Sequence, residues 1–193
     1  RIPYNPSLIE PKWQKKWKDS KIYNVDLDSK DKKNYFSLTM FPYPSGDLHI
    51  GHWYAFTPAD SYSRFKKMKG FNVLHTQGFD AFGLPAENAA ISRNINPMKW
   101  TFDNIDNMRG QFNLMGNSYD WTRELITCTP EYYKWNQFFF LKMYEKGIAY
   151  RKNGAVWWDP IDQTTLANEQ VVEGKSERSG ADVVRRMMPQ WYF

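Results

Sequence analysis

Residues 40–52 read Met40-Phe41-Pro42-Tyr43-Pro44-Ser45-Gly46-Asp47-Leu48-His49-Ile50-Gly51-His52. A β-rich run over residues 35–40 leads into this segment, and two prolines and a glycine then break the run. Apolar residues at helical spacing follow, from about residue 51 to residue 68. The segment is therefore predicted to lie where a strand ends and a helix begins, which is where open parallel sheets bind nucleotides.

The residue types in this segment suit an anionic ligand. A helix N-terminus presents unpaired N–H groups and partial positive charge to a phosphate. His49 and His52 are three residues apart, so both side chains can point toward one anion. Gly51 between them lets a flat base approach the backbone. A purely structural hydrogen-bonding pair fits the two histidines as well, and a metal site needs a third ligand that the sequence does not position.

Strand and helix signals alternate over residues 35–147. A strand is expected at residues 71–75, a loop through residues 78–80, and a helix opening at residues 83–88. A further helix is expected from Thr129-Pro130 to Lys146. Pro58 is expected to kink or restart the helix that follows the histidines. The alternation predicts an α/β fold with a parallel sheet.

The two ends of the chain have a different character. Residues 1–34 are predicted to form an N-terminal helix, capped by Ser7 and Glu10, and a linker rich in Asp, Lys and Ser. After residue 150, short β runs are divided by glycines and charged turns. These runs predict a small β-rich module over residues 151–185 and a final strand over residues 186–193.

Composition narrows the class of protein. The 193 residues include 26 Lys+Arg and 21 Asp+Glu, a formal net charge of +5, and 18% are aromatic, which excludes wholesale disorder. That charge permits a nucleic-acid or phosphate partner, and solvated lysines explain it equally well. The single cysteine, Cys128, excludes a disulfide framework and a cysteine-rich zinc site. No apolar run of membrane-spanning length and no signal core are found, so a cytoplasmic, membrane-free protein is expected.

The complete segment resembles class I aminoacyl-tRNA synthetases, whose His-Ile-Gly-His signature is matched without change by residues 49–52. Residues 41–46 and three further strings resemble leucyl-tRNA synthetases of the bacterial type. Those strings are Gly78-Phe79-Asp80-Ala81-Phe82-Gly83-Leu84-Pro85-Ala86-Glu87-Asn88-Ala89-Ala90, Tyr132-Tyr133-Lys134-Trp135-Asn136-Gln137 and Leu166-Ala167-Asn168-Glu169-Gln170-Val171-Val172. The resemblance implies that residues 35–150 are the first half of a Rossmann-like catalytic domain.

The resemblance also implies roles for individual residues. The implied reaction is ATP-dependent activation of leucine to leucyl-adenylate, followed by transfer to the 3′ end of tRNA(Leu). His49 and His52 would be catalytic. The implied ATP-binding residues are Pro42, Tyr43, His49, Gly51 and His52. The implied leucine-binding residues are Met40, Phe41, Tyr43 and Asp80, with Asp80 holding the α-ammonium group. Simpler interpretations are an N-cap or loop carboxylate for Asp80 and core packing for Phe41 and Tyr43.

Two of the chain's departures from the family bear on its completeness and its metal content. It lacks the family's second ATP motif, Lys-Met-Ser-Lys-Ser, and ends at a strand that leads toward the editing insertion in relatives. We therefore expect an N-terminal portion of a larger, monomeric enzyme, which needs the remainder of that enzyme for activity. Where many relatives carry zinc ligands, the chain reads Asp159-Pro160-Ile161-Asp162 and Ser176-Glu177-Arg178-Ser179. No zinc is predicted, whereas Mg²⁺ is expected to accompany ATP.

Two alternative functions are also compatible with the sequence. Valyl-, isoleucyl- and methionyl-type synthetases share the histidine signature, and apolar pockets separate such side chains by only about 1–3 kcal/mol. A non-catalytic remnant that binds nucleotide or tRNA is also compatible with the absence of the second ATP motif.

Overall fold

The computed structural model describes residues 3–193. The chain divides into two compact units, Arg1–Tyr133 and Lys134–Phe193, and each is described by itself. The functional boundary predicted at residue 150 stays a prediction. No helix in the described part of the chain has the length and apolar character needed to cross a membrane.

The first unit alternates strands and helices. Its elements are α1 (Pro6–Asp19), β1 (Asn34–Ser37), α2 (Ile50–Met68), β2 (Asn72–His75), β3 (Gly78–Phe79), α3 (Leu84–Ser92), α4 (Pro97–Met115), β4 (Leu125–Ile126) and the start of α5 (Pro130–Glu145). Strand β1 pairs in parallel with β2, and β3 pairs in parallel with β4. The α/β class with parallel strands is therefore confirmed.

Two features of this unit differ from the sequence prediction. Residues 78–79 are a strand and not part of a loop, because backbone hydrogen bonds from Leu125 to Gln77 and from Thr127 to Phe79 extend the pairing with β4. Helix α4 was not predicted, although its start carries the usual signal. The side chain of Asn96 accepts from the backbone N–H groups of the first turn, and Pro97 occupies the first helical position.

Two further differences from the sequence prediction involve proline. Helix α1 starts at Pro6 and its N-cap position is Asn5, whose side chain makes no capping hydrogen bond, so the predicted cap at Ser7 and Glu10 is wrong. The fixed φ of a proline suits the first helical position. Helix α2 runs without a break through Pro58. The carbonyl that Pro58 leaves without a donor belongs to Tyr54, which is exposed, so water can hydrogen-bond it.

The core of the first unit lies between α2, α4 and the strands. Its buried members are Phe56, Phe79, Ala81, Ile105, Met108, Phe112 and Tyr119, and Leu48 packs against them. Because Phe56 lies on α2 just after the histidine signature and Leu48 lies just before it, the core holds the signature from both sides.

The second unit is mainly antiparallel sheet. It contains most of α5 and the strands β5 (Tyr150–Asp159), β6 (Thr164–Leu166), β7 (Val171–Val172), β8 (Lys175–Ser176) and β9 (Val184–Tyr192). The sheet order is β6-β5-β9, and β7 forms a separate pair with β8. The long pairing of β5 with β9 runs from Tyr150–Tyr192 to Trp158–Val184.

Candidate functional site

The two signature histidines cap the N-terminus of α2. The backbone N–H of Gly51 donates to Nδ1 of His49, and the backbone N–H of His49 donates to Nδ1 of His52, both at 3.1 Å. The two ring centroids are 4.0 Å apart. Ser, Thr, Asp and Asn usually fill this capping role. Here the sequence uses imidazoles, which cap the helix and remain available for a ligand.

This capping arrangement fixes the tautomer of both rings. A nitrogen that accepts an N–H bond carries no proton, so in a neutral ring the proton must be on Nε2. Burial, and after it the charge of His49, holds the pKa of His52 below its ordinary value of 6.5. His52 is therefore neutral at pH 7, with its Nε2–H free to donate to a ligand oxygen.

Gly51 is required by the position of the His49 ring. A Cβ built on Gly51 would lie 2.8 Å from Cε1 and 3.0 Å from Nδ1 of His49, closer than real Cβ contacts allow. The sequence suggested a different reason, the approach of a base. The structure shows that this glycine also makes room for a catalytic candidate.

A side-chain clamp from α4 holds the residues just before the signature. The amide of Gln111 is bidentate: its Nε2 donates to Oδ1 of Asp47 (2.9 Å), and its Oε1 accepts from the backbone N–H of Leu48 (2.7 Å). Nδ2 of Asn107 donates to the same Asp47 oxygen at 2.6 Å. Nothing in the sequence marked these polar residues, because the 60 to 64 residues between the partners hide the contact.

A second buried network ties α2 to the end of β2. Asp60 on α2 accepts from Nε of Arg64 (2.8 Å) and from Oγ of Ser118 (2.6 Å). His75 lies against this carboxylate, with Nδ1 3.3 Å from Oγ of Ser118, and is 2% exposed. Burial lowers the pKa of His75 to about 4, and the opposing effect of Asp60 does not compensate. His75 is thus a neutral core residue, distinct from the two signature histidines.

Some of the residues predicted to bind leucine lie close together in the structure. The backbone N–H of Asp80 donates to the carbonyl of Pro42 at 3.0 Å, which joins the two predicted segments. The carboxylate of Asp80 accepts from Oγ1 of Thr127 at 3.3 Å. The N-cap position of α3 is Gly83, so Asp80 caps no helix. Of the two simpler interpretations of Asp80, only the loop carboxylate fits the structure.

The apolar residues of this set are mostly open to solvent. Met40 is 73% exposed and Tyr43 is 57% exposed, so core packing is excluded for Tyr43. Phe41 is half-buried but does not belong to the core cluster. Pro42 is buried and contributes its carbonyl to the contact with Asp80. These exposed apolar side chains are available to line a ligand site.

A cleft of about 600 Å³ lies elsewhere in the first unit, between α1, α2 and the end of α4. Trp13, Trp17, Arg64 and Met115 are among its lining residues, and none of the predicted site residues is. The candidate site is therefore an open surface at the start of α2 and not this cleft.

In the second unit, the residues for which no zinc was predicted hydrogen-bond to one another and to the backbone. Oδ1 of Asp159 accepts from the backbone N–H groups of Ile161 (2.9 Å) and Asp162 (3.1 Å), and its Oδ2 accepts from Oγ of Ser179 (2.6 Å). Ser176 in turn accepts from the N–H of Ser179 at 3.3 Å. Burial would raise the pKa of Asp159, but hydrogen bonds from the serines and the backbone outweigh it and lower the pKa to about 2.

Comparison with known proteins identifies the family of the chain. The family model "tRNA synthetases class I (I, L, M and V)" matches residues 12–193. Curated relatives named "Leucine--tRNA ligase" are 58% identical in Thermosipho melanesiensis and 56% in Deinococcus radiodurans, each over 190 residues and 98% of this chain. The chain spans 23% of the length of either relative.

Solved structures give the same result. A LeuRS from Agrobacterium radiobacter K84, in a ternary complex with tRNA and LeuAMS, matches with a TM-score of 0.90 and 44% identity over 98% of this chain and 24% of that one. A Mycobacterium tuberculosis methionyl-tRNA synthetase bound to methionyl-adenylate matches at 0.68 over 82% of this chain and 32% of that one. Its 22% identity shows the fold alone.

These matches confirm the predicted resemblance and the Rossmann-like catalytic architecture. The signature histidines, the parallel strand pairs and the family model that covers residues 12–193 lead to one conclusion: the chain belongs to the class I tRNA synthetase family.

Proposed function

We propose that this chain supplies the signature half of the active site of a leucine–tRNA ligase, which activates leucine with ATP and transfers it to the 3′ end of tRNA(Leu). The observation that carries the proposal is the cap formed by His49 and His52, in which both Nδ1 atoms accept backbone N–H bonds and the Nε2 atoms take no part. The relatives named above, at 56–58% identity, favour leucine over the other amino acids of the family.

In the proposed mechanism the protein supplies no nucleophile. The leucine carboxylate attacks the α-phosphate of ATP, the bond to pyrophosphate breaks, and leucyl-adenylate forms. His49 and His52 donate Nε2–H bonds to phosphate oxygens as charge develops on them. Such preorganised donors accelerate phosphoryl-type transfers by electrostatic stabilisation. Gly51 and Tyr43 lie beside the nucleotide, with Pro42 shaping the strand end beneath it.

The leucine end of the site is assigned to the residues around the contact between Pro42 and Asp80. The carboxylate of Asp80 pairs with the α-ammonium group, for which its half-buried position and single Thr127 contact leave acceptor capacity. Met40, Phe41 and Tyr43 contribute apolar surface to the side chain of leucine. The parts that complete the pocket lie outside this chain in the proposal.

The proposal extends to ions, partners and compartment. Mg²⁺ enters with the ATP phosphates, and among the described residues no cluster of three acidic, histidine or cysteine side chains offers it a separate site. The second unit works without zinc, because the hydrogen bonds of Asp159, Ser176 and Ser179 hold its turns together. The remaining partners are tRNA(Leu) and the remainder of a monomeric cytoplasmic enzyme, and the chain alone has little or no activity.

The experiment that tests the function is amino-acid-dependent ATP–pyrophosphate exchange. The enzyme is a chimera in which this chain replaces the matching 190 residues of the Thermosipho melanesiensis relative. Leucine should support exchange at least about tenfold faster than isoleucine, valine or methionine at equal concentration. An inactive chimera, with the parent relative active under the same conditions, would reject the proposal, and faster exchange with another amino acid would reject leucine.

Metal content is a separate measurement on the purified chain. We expect less than stoichiometric zinc by elemental analysis and an unchanged melting temperature after dialysis against a chelator. One zinc per chain, lost together with stability on chelation, would contradict the zinc-free proposal.

A further inference from the structure

The long pairing of β5 with β9 carries an unusual distribution of charge. Residues 150–158 and 184–192 contain four cations, Arg151, Lys152, Arg185 and Arg186, and no Asp or Glu. The one acidic residue of these strands, Asp159, lies at the end of β5, is fully buried and is hydrogen-bonded. We call residues 150–158 and 184–192 the basic ribbon. Its exposed charge is entirely positive, although the chain as a whole is nearly balanced.

The strand register sorts these residues between the two faces of the ribbon. Directly opposed residues share a face, and side chains alternate along each strand. Lys152 and Arg186 therefore lie on one face, together with the opposed pair Tyr150 and Tyr192. The other face includes Trp191, whose ring packs edge-on against Phe140 and Tyr144 of α5. The face with Lys152 is thus the one that points away from α5.

On that face aromatic rings and cations are paired. Tyr150 and Tyr192 stack with ring centroids 5.8 Å apart and an interplanar angle of 21°. Nζ of Lys152 lies 4.6 Å from the centroid of Tyr192, and the guanidinium of Arg186 lies 4.9 Å from the ring of Trp158. Arg186 is paired with Val156, which lies four positions after Lys152 along β5, so the two cations are roughly 13 Å apart along the strand.

Gly154 leaves room for the side chain of Tyr192. A Cβ built on Gly154 would meet the hydroxyl of Tyr192 at 1.8 Å, so any other residue would displace the Tyr192 ring. Tyr150 is 44% exposed beside it. The face therefore offers ring surface at one end of a row that also carries two exposed cations, Lys152 and Arg186.

We propose that this face of the basic ribbon binds single-stranded RNA. Phosphates pair with Lys152 and Arg186, and a base stacks on the ring pair of Tyr150 and Tyr192. Cations that follow a backbone, interleaved with aromatic rings, are the features with which proteins bind single strands. The absence of acidic side chains on the described ribbon removes the repulsion that a polyanion would otherwise meet. The inference rests on the proposed function, since it gives the RNA partner of that function a surface.

The experiment measures binding of the 193-residue chain to a fluorescently labelled single-stranded RNA of about 12 nucleotides by anisotropy, without ATP or leucine. The double variant Lys152→Gln/Arg186→Gln should bind roughly tenfold more weakly, and the slope of log affinity against log salt should fall by about 1.4, for two lost phosphate contacts. The matched control is Lys16→Gln/Lys18→Gln on α1, which removes the same charge and one similar cation–ring pair, that of Lys16 over Trp13. It should change affinity less than about twofold.

A second variant tests stacking independently of charge. Tyr150→Leu keeps an apolar side chain but loses the ring face, and should weaken binding about fivefold or more. An RNA duplex of equal length should bind more weakly than the single strand, and polyglutamate should not compete. Equal losses in the ribbon and control variants, or unaltered binding in Tyr150→Leu, would overturn the proposal, as would effective competition by polyglutamate.

Melting curves of each variant verify that it folds. If the double variant fails to fold, the single variant Lys152→Glu takes its place. Because no adenylation is involved, failure of RNA binding and failure of pyrophosphate exchange are separate results.

Discussion

The backbone N–H of Gly51 donates to Nδ1 of His49 at 3.1 Å, while a Cβ on Gly51 would approach Cε1 of the same ring to 2.8 Å. One residue therefore both orients the imidazole and leaves the space in which it lies. The proton of the oriented ring is placed on Nε2, which is the atom that the proposed mechanism uses.

Gly51→Ala separates activity from stability. Alanine favours a helix by about 0.5–1 kcal/mol over glycine, but displacement of the His49 cap costs about as much, so the free energy of unfolding should change little. The added Cβ must displace the His49 ring, and loss of one aligned donor should slow leucine-dependent pyrophosphate exchange in the chimera on the order of a hundredfold.

The control for this substitution is Gly110→Ala on α4, where nothing lies within 4 Å of the added Cβ. It should gain about 0.5–1 kcal/mol of unfolding free energy and keep full exchange. A normal rate in Gly51→Ala would show that the His49 ring position does not matter for the reaction.

Gln111 offers a test of positioning from a distance. Gln111→Leu removes both arms of the clamp on Asp47 and Leu48, at a cost of about 1 kcal/mol in unfolding free energy. Because the clamp holds the residues next to His49, kcat for exchange should fall more than the binding of leucine weakens. Misplacement by about 1 Å can cost a hundredfold in rate.

Two further variants define what the clamp contributes. Gln111→Glu keeps an acceptor for the N–H of Leu48 but repels Asp47, so its rate should be intermediate. Gln137→Leu on the exposed surface of α5 is the matched control and should behave like the parent. If Gln111→Leu lowered stability but left kcat and its pH profile intact, the clamp would be structural only.

The sequence was most informative where a function is encoded by neighbours in the chain. The signature histidines, Gly51 and the strand-to-helix transition all lie within a few residues, and their arrangement at the start of α2 was predicted correctly. The start of helix α5 was likewise predicted from two adjacent residues, Thr129 and Pro130, and the helix starts at Pro130.

Contacts between distant residues were not predictable in this way. The Gln111 clamp and the Asp60–Ser118 bond join residues about sixty positions apart, and nothing in the local pattern distinguishes these side chains from solvated ones. Strand β3 was missed for the same reason, because two residues become a strand only through pairing with β4. Pro58 shows the reverse: a restart of the helix was one of the two expected effects, but α2 continues through Pro58 while Phe56 packs in the core.

Acid should destabilise the first unit through His75. Its pKa is lowered from 6.5 to about 4 in the folded chain, so the unfolded chain binds the proton more readily. The contribution of His75 is fully present above pH 6.5 and declines as the pH falls from 6.5 toward 4, by about 3 kcal/mol in all.

Urea unfolding of the chain at several pH values measures this dependence. His75→Gln should flatten the decline between pH 6.5 and 4. An identical pH dependence in His75→Gln and the parent would mean that another group is responsible.

The Asp159 hydrogen bonds provide the final prediction. Asp159→Asn replaces a buried carboxylate that accepts three hydrogen bonds with an amide whose nitrogen cannot accept them. Hydrogen bonds to a charged group are worth about 1.5–3 kcal/mol each, so the variant should lose at least about 2 kcal/mol of unfolding free energy. Because the folded pKa of Asp159 is about 2 and the ordinary value is 3.8, this stabilisation is complete above pH 3.8 and disappears only as the pH falls through 2.

Asp182→Asn, which breaks only the exposed pair with Lys175, is the matched control and should cost less than about 1 kcal/mol. Equal stability of the two variants near pH 7 in urea unfolding would show that Asp159 does not hold the turns together.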